Sequence, residues 1–404
     1  MKITDVQTVL LTGPCTNDPF LLEARKRRSA AFIEVHTDTG LIGLGETYAG
    51  YFCPEVVPAI VDFFKPVLLG QDVSNIAELW RRMYHCGNYW CRVGLGVAVL
   101  NGIEAALWDL KGKLLQAPVY ELLGGRKHDR LLAYATGGPS NYPLDRLAAK
   151  LDFYRSLGFR AAKVGVGSFS PEQGSVNLDT PNAAADFEAA KVEYVRARCG
   201  REFILCLDGH MGNSPSHTWD LAVALQVCRA LEPYGLFFLE EPLPYTDPWS
   251  YVELARQTSV PIAGGECLTA SYEWRVFAER DAFDIGQPDA AWTGGLGEFM
   301  KVAAMLESRG RRIATHSWGA GGGLMQNLHC GFACANTVVL EIPPAFGALH
   351  ADVVGDSFEM RDGYVHPPRT PGLGITLSSE TKSRYTFQPG SGEFNSVPGK
   401  VLTD

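Results

Sequence analysis

No apolar stretch of this 404-residue chain approaches the roughly 20 residues needed to cross a bilayer. Basic charge is also short, with 36 Lys and Arg against 45 Asp and Glu and a formal net charge of −9. Without a basic surplus to neutralise phosphates, neither nucleic acid nor an anionic membrane is an expected partner. The start, MKITDVQTVLL, lacks the apolar core and small-residue cleavage site of a signal peptide. The ten cysteines, scattered from Cys15 to Cys334, include no CxxC pair. In a chain this long, such scatter fits buried thiols in a reducing compartment, and a cytoplasmic location is expected. Cys330 and Cys334 beside His329 offer the residue types of a zinc site, but their apolar helical setting points to core packing.

What is present divides by pattern. Residues 1–50 read as an antiparallel meander: Lys2–Leu11, Ala30–Thr37, and Leu41–Glu46 after the turn signal Asp38-Thr39-Gly40. Between the first two strands, the polar loop Gly13–Arg28 ends in Arg25, Lys26, Arg27 and Arg28. Such a charge run is usually a solvated face, with Arg25 and Arg28 as candidate substrate contacts. From Glu55 to about Leu123 the period is helical, with Val97–Leu115 the longest amphipathic segment. Strands first and helices after make an α+β domain over residues 1–127. From Arg130 the pattern becomes strand, helix, strand. Strands are expected at Leu131–Thr136, Ala161–Val166, Phe203–Asp208, Leu236–Glu240, Pro261–Glu266, Phe283–Gln287, Arg312–His316 and Thr337–Ile342. Eight such units make a parallel barrel, placed over residues 128–360. The Gly/Ser/Pro/Asn-rich stretch Ser168–Pro181 reads as a lid or specificity loop. The tail, 361–404, is expected to return to the first domain, with a hairpin near Met360–Tyr364.

Three of the barrel runs, FILCLD, LFFLEE and PIAGGE, close on Asp208, Glu240 and Glu266. Strand C-termini converge on the mouth of such a barrel, where catalytic groups sit. Three carboxylates facing one point repel unless a hard cation lies between them, and oxygen-only ligation suits Mg²⁺. The plain alternative is that these acids cap the following helices. Other strand ends carry Lys163, Asp289, His316 and Glu341. A histidine beside an aspartate can be held in one tautomer and serve as a general base. A lysine in a barrel mouth requires a carboxylate or substrate partner.

The chain resembles the enolase superfamily, and within it the mandelate racemase subgroup. The resemblance rests on Asn101–Gly112 (NGIEAALWDLKG), Tyr120–Gly125 (YELLGG), Leu239–Pro242 (LEEP), Gly264–Glu266 (GGE), Gln287–Asp289 (QPD) and Thr315–Trp318 (THSW). It implies a modified (β/α)₇β barrel under an α+β capping domain made from both chain ends. It also implies one Mg²⁺ per chain on Asp208, Glu240 and Glu266, a base dyad of His316 and Asp289, and Glu341 bonded to a substrate carboxylate. Trp318, inside the last motif, is a further candidate for substrate contact. The shared chemistry is removal of a proton α to a carboxylate. A small carboxylate substrate and a homo-oligomer are expected.

One departure is informative. Racemases of the subgroup carry Lys-x-Lys at the end of the second barrel strand, whereas this chain has Lys163-Val164-Gly165. It also has Asp208-Gly209-His210, similar to galactonate and mannonate dehydratases, in which that histidine protonates the departing β-hydroxyl. The reading is an acid-sugar dehydratase that makes a 2-keto-3-deoxy acid from an aldonate or aldarate. Its rivals are a racemase, epimerase or cycloisomerase using His316 and Lys163, a Schiff-base aldolase with Lys163 as nucleophile, and a non-catalytic barrel kept for binding or assembly.

Overall fold

The computed structural model describes residues 1–21, 26–137, 143–170, 174–212 and 218–390. The first 47 residues give three antiparallel strands in sequential order: β1 (Ile3–Pro14), β2 (Arg27–Thr37) and β3 (Ile42–Thr47). The polar connection between β1 and β2 is thus shorter than Gly13–Arg28, since both strands extend into it. Helix Leu95–Leu115 lies directly on β3, and fifteen of its residues are buried. That approach depends on missing side chains. A Cβ on Gly43 would stand 2.1 Å from Ala106 O, and one on Gly45 2.3 Å from Gly102 O.

The barrel closes in the order β13, β12, β11, β10, β9, β8, β5, β4, with β13 paired back to β4 and every pair parallel. The strands are β4 (Leu131–Ala135), β5 (Ala161–Gly165), β8 (Ile204–Asp208), β9 (Phe238–Glu240), β10 (Ile262–Gly264), β11 (Ile285–Gly286), β12 (Arg312–Thr315) and β13 (Thr337–Ile342). All eight expected strands are present, most of them shorter than read. Ser168–Pro181 is not plain loop, because it contains the antiparallel hairpin β6 (Ser168–Ser170) and β7 (Gly174–Val176).

One buried residue from each barrel strand fills the interior: Tyr134, Ala161, Cys206, Phe238, Ala263, Ile285, Ala314 and Val339. Side chains two apart share a strand face. Counting two on from that layer gives Thr136, Lys163, Asp208, Glu240, Gly265, Gln287, His316 and Glu341. The apolar plug therefore fixes the functional layer above it.

Two buried acids of the N-terminal region join it to the barrel. Glu104 accepts from the amides of Leu296 and Gly297, at the start of helix Leu296–Glu307. Glu46 accepts from Ala320 and Gly323, at the start of helix Gly322–Ala333. Neither helix has a side-chain cap at its own N-cap glycine, so these carboxylates satisfy amides left over by the helix geometry.

The hairpin β14 (Met360–Arg361) and β15 (Tyr364–Val365) adds antiparallel to β4. Beyond it the tail bonds to the N-terminal region, through Leu373 N to Asp109 Oδ1 (2.8 Å) and Gln388 N to Thr12 Oγ1 (2.9 Å). None of the ten cysteines is in a disulfide. Cys330 and Cys334 are buried on helix Gly322–Ala333 and its cap, and His329 Nδ1 accepts from Tyr120 N. Among the described residues no helix is long and apolar enough to cross a membrane.

Candidate active site

At the C-terminal mouth the helix-capping alternative for the three acids fails locally. The helices after β8 and β9 are capped by Asp220 and Asp247, which accept from Val223 N and Ser250 N. Asp208 and Glu240 are instead turned inward. Glu266 lies two residues past β10, delivered by a turn at Gly265 with φ +108°. A Cβ at Gly265 would stand 2.3 Å from the Trp274 ring.

Lys163 occupies the centre of the acids. Its Nζ is 2.8 Å from both oxygens of Glu240, 3.0 Å from Asp208 Oδ2 and 3.5 Å from Glu341 Oε1. Burial opposes its charge, but Asp208, Glu240 and Glu341 outweigh burial and hold its pKa well above the ordinary lysine value. Gln287 donates to Glu240 Oε2 at 2.6 Å. Glu341 Oε2 accepts from Ser317 N. Burial raises the pKa of Asp208, and His210 and Lys163 more than reverse that, leaving it well below the usual carboxylate range.

Two imidazoles flank Glu266. His316 Nε2 is 3.5 Å from Glu266 Oε2, and His210 Nε2 is 3.8 Å from Oε1 and 3.1 Å from Asp208 Oδ2. They lie just past β12 and β8, four strands apart in a ring of eight. His316 Nδ1 bonds Asp289 Oδ2 at 2.7 Å, and the other Asp289 oxygen accepts from Ala291 N and Asn327 Nδ2. Burial lowers the pKa of His316, but Glu266 and Asp289 raise it overall to about 10. Burial likewise opposes the charge on His210, and Asp208 and Glu266 raise its pKa nonetheless. Its side chain is 49% exposed, so water screens that effect.

The sequence-derived candidates divide here. Lys163, Asp208, His210, Glu240, Glu266, Asp289, His316 and Glu341 share one mouth. Arg28 is fully buried, with its guanidinium 3.8 Å over the Trp318 ring and Nη1 donating to Gly319 O. Trp318 Nε1 donates to Tyr51 Oη. Arg25 lies outside the described residues. Three groups escaped the sequence reading. Gln287 follows from counting two past Ile285. Asn327 sits behind Asp289 on helix Gly322–Ala333, where no local pattern marks it. The ring of Tyr48, from the N-terminal region, stands 5.5 Å from that of His316.

Among the described residues six carboxylates (Asp208, Glu240, Glu241, Glu266, Asp289 and Glu341) thus meet one ammonium and two imidazoles. This excess of buried acid, oxygen-rich at Asp208, Glu240 and Glu266, fits a hard divalent cation. The cations of the chain itself separate those three acids. Glu241, Glu266 and Cys267 offer three possible ligand atoms that all lie within 4.8 Å of one another.

Two family descriptions match. Residues 6–124 match the mandelate racemase / muconate lactonizing enzyme N-terminal domain, and residues 146–382 the enolase C-terminal domain-like family. The chain is 31% identical over 355 residues to the arabinonate dehydratase of Saccharolobus solfataricus, covering 87% of this chain and 89% of that protein. It is 34% identical over 355 residues to the D-galactonate dehydratase of Ralstonia nicotianae, covering 86% and 88%. The solved 3,6-anhydro-D-galactonate cycloisomerase of Zobellia galactanivorans superposes with a TM-score of 0.81 at 27% identity, covering 96% of this chain and all of that one.

Proposed function

The chain belongs to the mandelate racemase / muconate lactonizing enzyme family of the enolase superfamily, and from that membership we propose that it is a Mg²⁺-dependent acid-sugar dehydratase. Its substrate is a small sugar carboxylate, as for the arabinonate and D-galactonate dehydratases it is similar to. The observation that carries the reading is the pair of imidazoles on opposite sides of the mouth, one backed by an aspartate and one beside the acid cluster.

His316 takes the proton α to the carboxylate. Asp289 accepts the Nδ1 proton, so Nε2 faces the mouth, and a cation on Glu266 would offset the negative charge that holds the ring protonated and free Nε2 to act as the base. Lys163 and Glu341 lie on the floor beneath the substrate carboxylate, where Lys163 compensates part of the acid charge. Asp208, Glu240 and Glu266 would hold Mg²⁺, which would supply positive charge against the negative charge that develops on the substrate carboxylate. His210 gives its proton to the β-hydroxyl, since hydroxide leaves poorly until protonated. Loss of water gives an enol that tautomerises to the 2-keto-3-deoxy acid. Gly165 offers no base where a two-base racemase has one.

The likeness to the cycloisomerase structure favours one rival, in which His316 and Lys163 shift a proton without loss of water. A Schiff-base aldolase is disfavoured, because an ammonium held charged by three carboxylates has no lone pair for a carbonyl. The test is a panel of aldonates and aldarates offered to the enzyme with Mg²⁺. A 2-keto-3-deoxy product from at least one substrate is expected. Isomerised acids without keto acid would overturn the dehydratase in favour of the rival.

A further inference from the structure

Glu241, the second acid of LEEP, is unlike its neighbours in the mouth. It is 1% exposed, and neither carboxylate oxygen has a hydrogen-bond partner among the described residues. Its backbone is fixed on both sides, with Glu241 N donating to Ala263 O and Glu241 O accepting from Met211 N. A buried carboxylate left without a partner costs several kcal/mol, so it needs a cation or a proton. A cation on Asp208, Glu240 and Glu266 would not by itself satisfy Glu241, whose ligand oxygen is grouped with Glu266 and Cys267 rather than with Asp208 and Glu240.

What Glu241 faces is specific. Its ligand oxygen, a Glu266 oxygen and Cys267 Sγ all lie within 4.8 Å of one another, a span that one ion can bridge. Cys267 directly follows Glu266 in the chain and is half-buried, outside any disulfide. Two carboxylates and a sulfur are a poor set for Mg²⁺, which takes oxygen and retains water. They suit a borderline-soft ion of the Zn²⁺ kind, with three protein ligands and a fourth position left open.

We propose that Glu241, Glu266 and Cys267 form a second divalent-cation site, selective for thiophilic ions and distinct from the Mg²⁺ set. Binding there replaces the thiol proton, and any proton held by Glu241, by the metal, so binding releases protons. The two sites share Glu266, and an ion in the second draws that carboxylate away from the first. The proposal goes beyond the dehydratase reading, and a thiolate signal tests it without any turnover.

The experiment uses the full chain, stripped with chelator and titrated with Cd²⁺ as the thiophilic probe. The readouts are the ultraviolet charge-transfer absorption of a Cd²⁺–thiolate bond and bound cadmium by equilibrium dialysis. Wild type is expected to show the band, saturating with one cadmium per Cys267. Cys267→Ser, a near-isosteric change at a half-buried position, should lose that band while still binding cadmium at its oxygen sites. Glu241→Gln should keep the band but need roughly tenfold or more cadmium to develop it, as loss of a ligand weakens a site at least as much as loss of an outer partner. A band that survives Cys267→Ser would overturn the proposal, as would its absence from wild type. A Glu241→Gln titration that overlays wild type would overturn it too, because Cys267 would then be a lone thiol and Glu241 merely protonated.

Discussion

His316 bonds Asp289 on one ring nitrogen and leaves the other for the mouth, so single atoms divide the work. His316→Asn removes the base while keeping the outline of the ring. Turnover and α-proton exchange with solvent should both fall by about 10²–10⁴. Asp289→Asn should cost less, because the imidazole remains and only its tautomer and basicity change. A His316→Asn enzyme that exchanged the α-proton at the wild-type rate would transfer the base role to Lys163. Metal dependence also belongs to single residues. Glu240→Gln removes a charge at nearly constant shape, so turnover should fall to the level of a fully chelated sample with the fold retained. Normal turnover of either preparation would refute the Mg²⁺ assignment, and circular dichroism checks the fold.

At the scale of elements, a buried ion pair shapes the exit from β5. Lys191 Nζ donates to Gly165 O and Gly167 O and pairs with Glu188 at 3.0 Å, and Glu188 accepts from Gly167 N. Helix Pro181–Cys199 thereby clamps the turn that leads into hairpin β6–β7. Lys191→Met strands a buried carboxylate and should lower stability by about 3–5 kcal/mol. The double variant with Glu188→Gln should recover much of that loss in urea unfolding, and a double variant as unstable as the single would count against the pairing. Glu104 makes a comparable junction between regions. Burial pushes its pKa up to about 7, against the opposing pull of Trp108 and the amides of Gly297 and Leu296. A carboxyl raised in the folded state binds its proton more tightly there than when unfolded. The stability this contributes is full below the ordinary value of 4.5 and is lost as pH rises through about 7. The melting temperature of wild type, relative to Glu104→Gln, should therefore fall between about pH 5 and about pH 8. A difference that stays flat would mean Glu104 is ionised throughout.

Across the whole molecule, what was legible followed from period. The barrel strands are buried on both faces and read as apolar runs, and their acids stand at or just beyond the ends, so Asp208, Glu240 and Glu266 could be placed together. Gln287 was equally available, two residues past a core isoleucine, but an amide at a strand end draws less notice than a charge. The hairpin in Ser168–Val176 was hidden because Gly, Ser and Pro carry no alternation. Contacts between distant segments left no local mark. Asn327 on Asp289, Glu46 on the start of helix Gly322–Ala333, and the burial of Arg28 under Trp318 each join residues tens to hundreds of positions apart. Glu241 was visible as a letter in LEEP, and only the packing around it reveals that its carboxylate has no hydrogen-bond partner among the described residues.

The central claim is that the two imidazoles do different jobs, His316 on the α-proton and His210 on the departing hydroxyl. The measurement that bears on it most directly is His210→Asn in D₂O with a confirmed substrate, following deuterium at the α-carbon and keto acid in the same sample. The account predicts exchange near the wild-type rate and keto-acid formation slowed by about 10²–10⁴. Exchange and dehydration lost together, or neither affected, would contradict it.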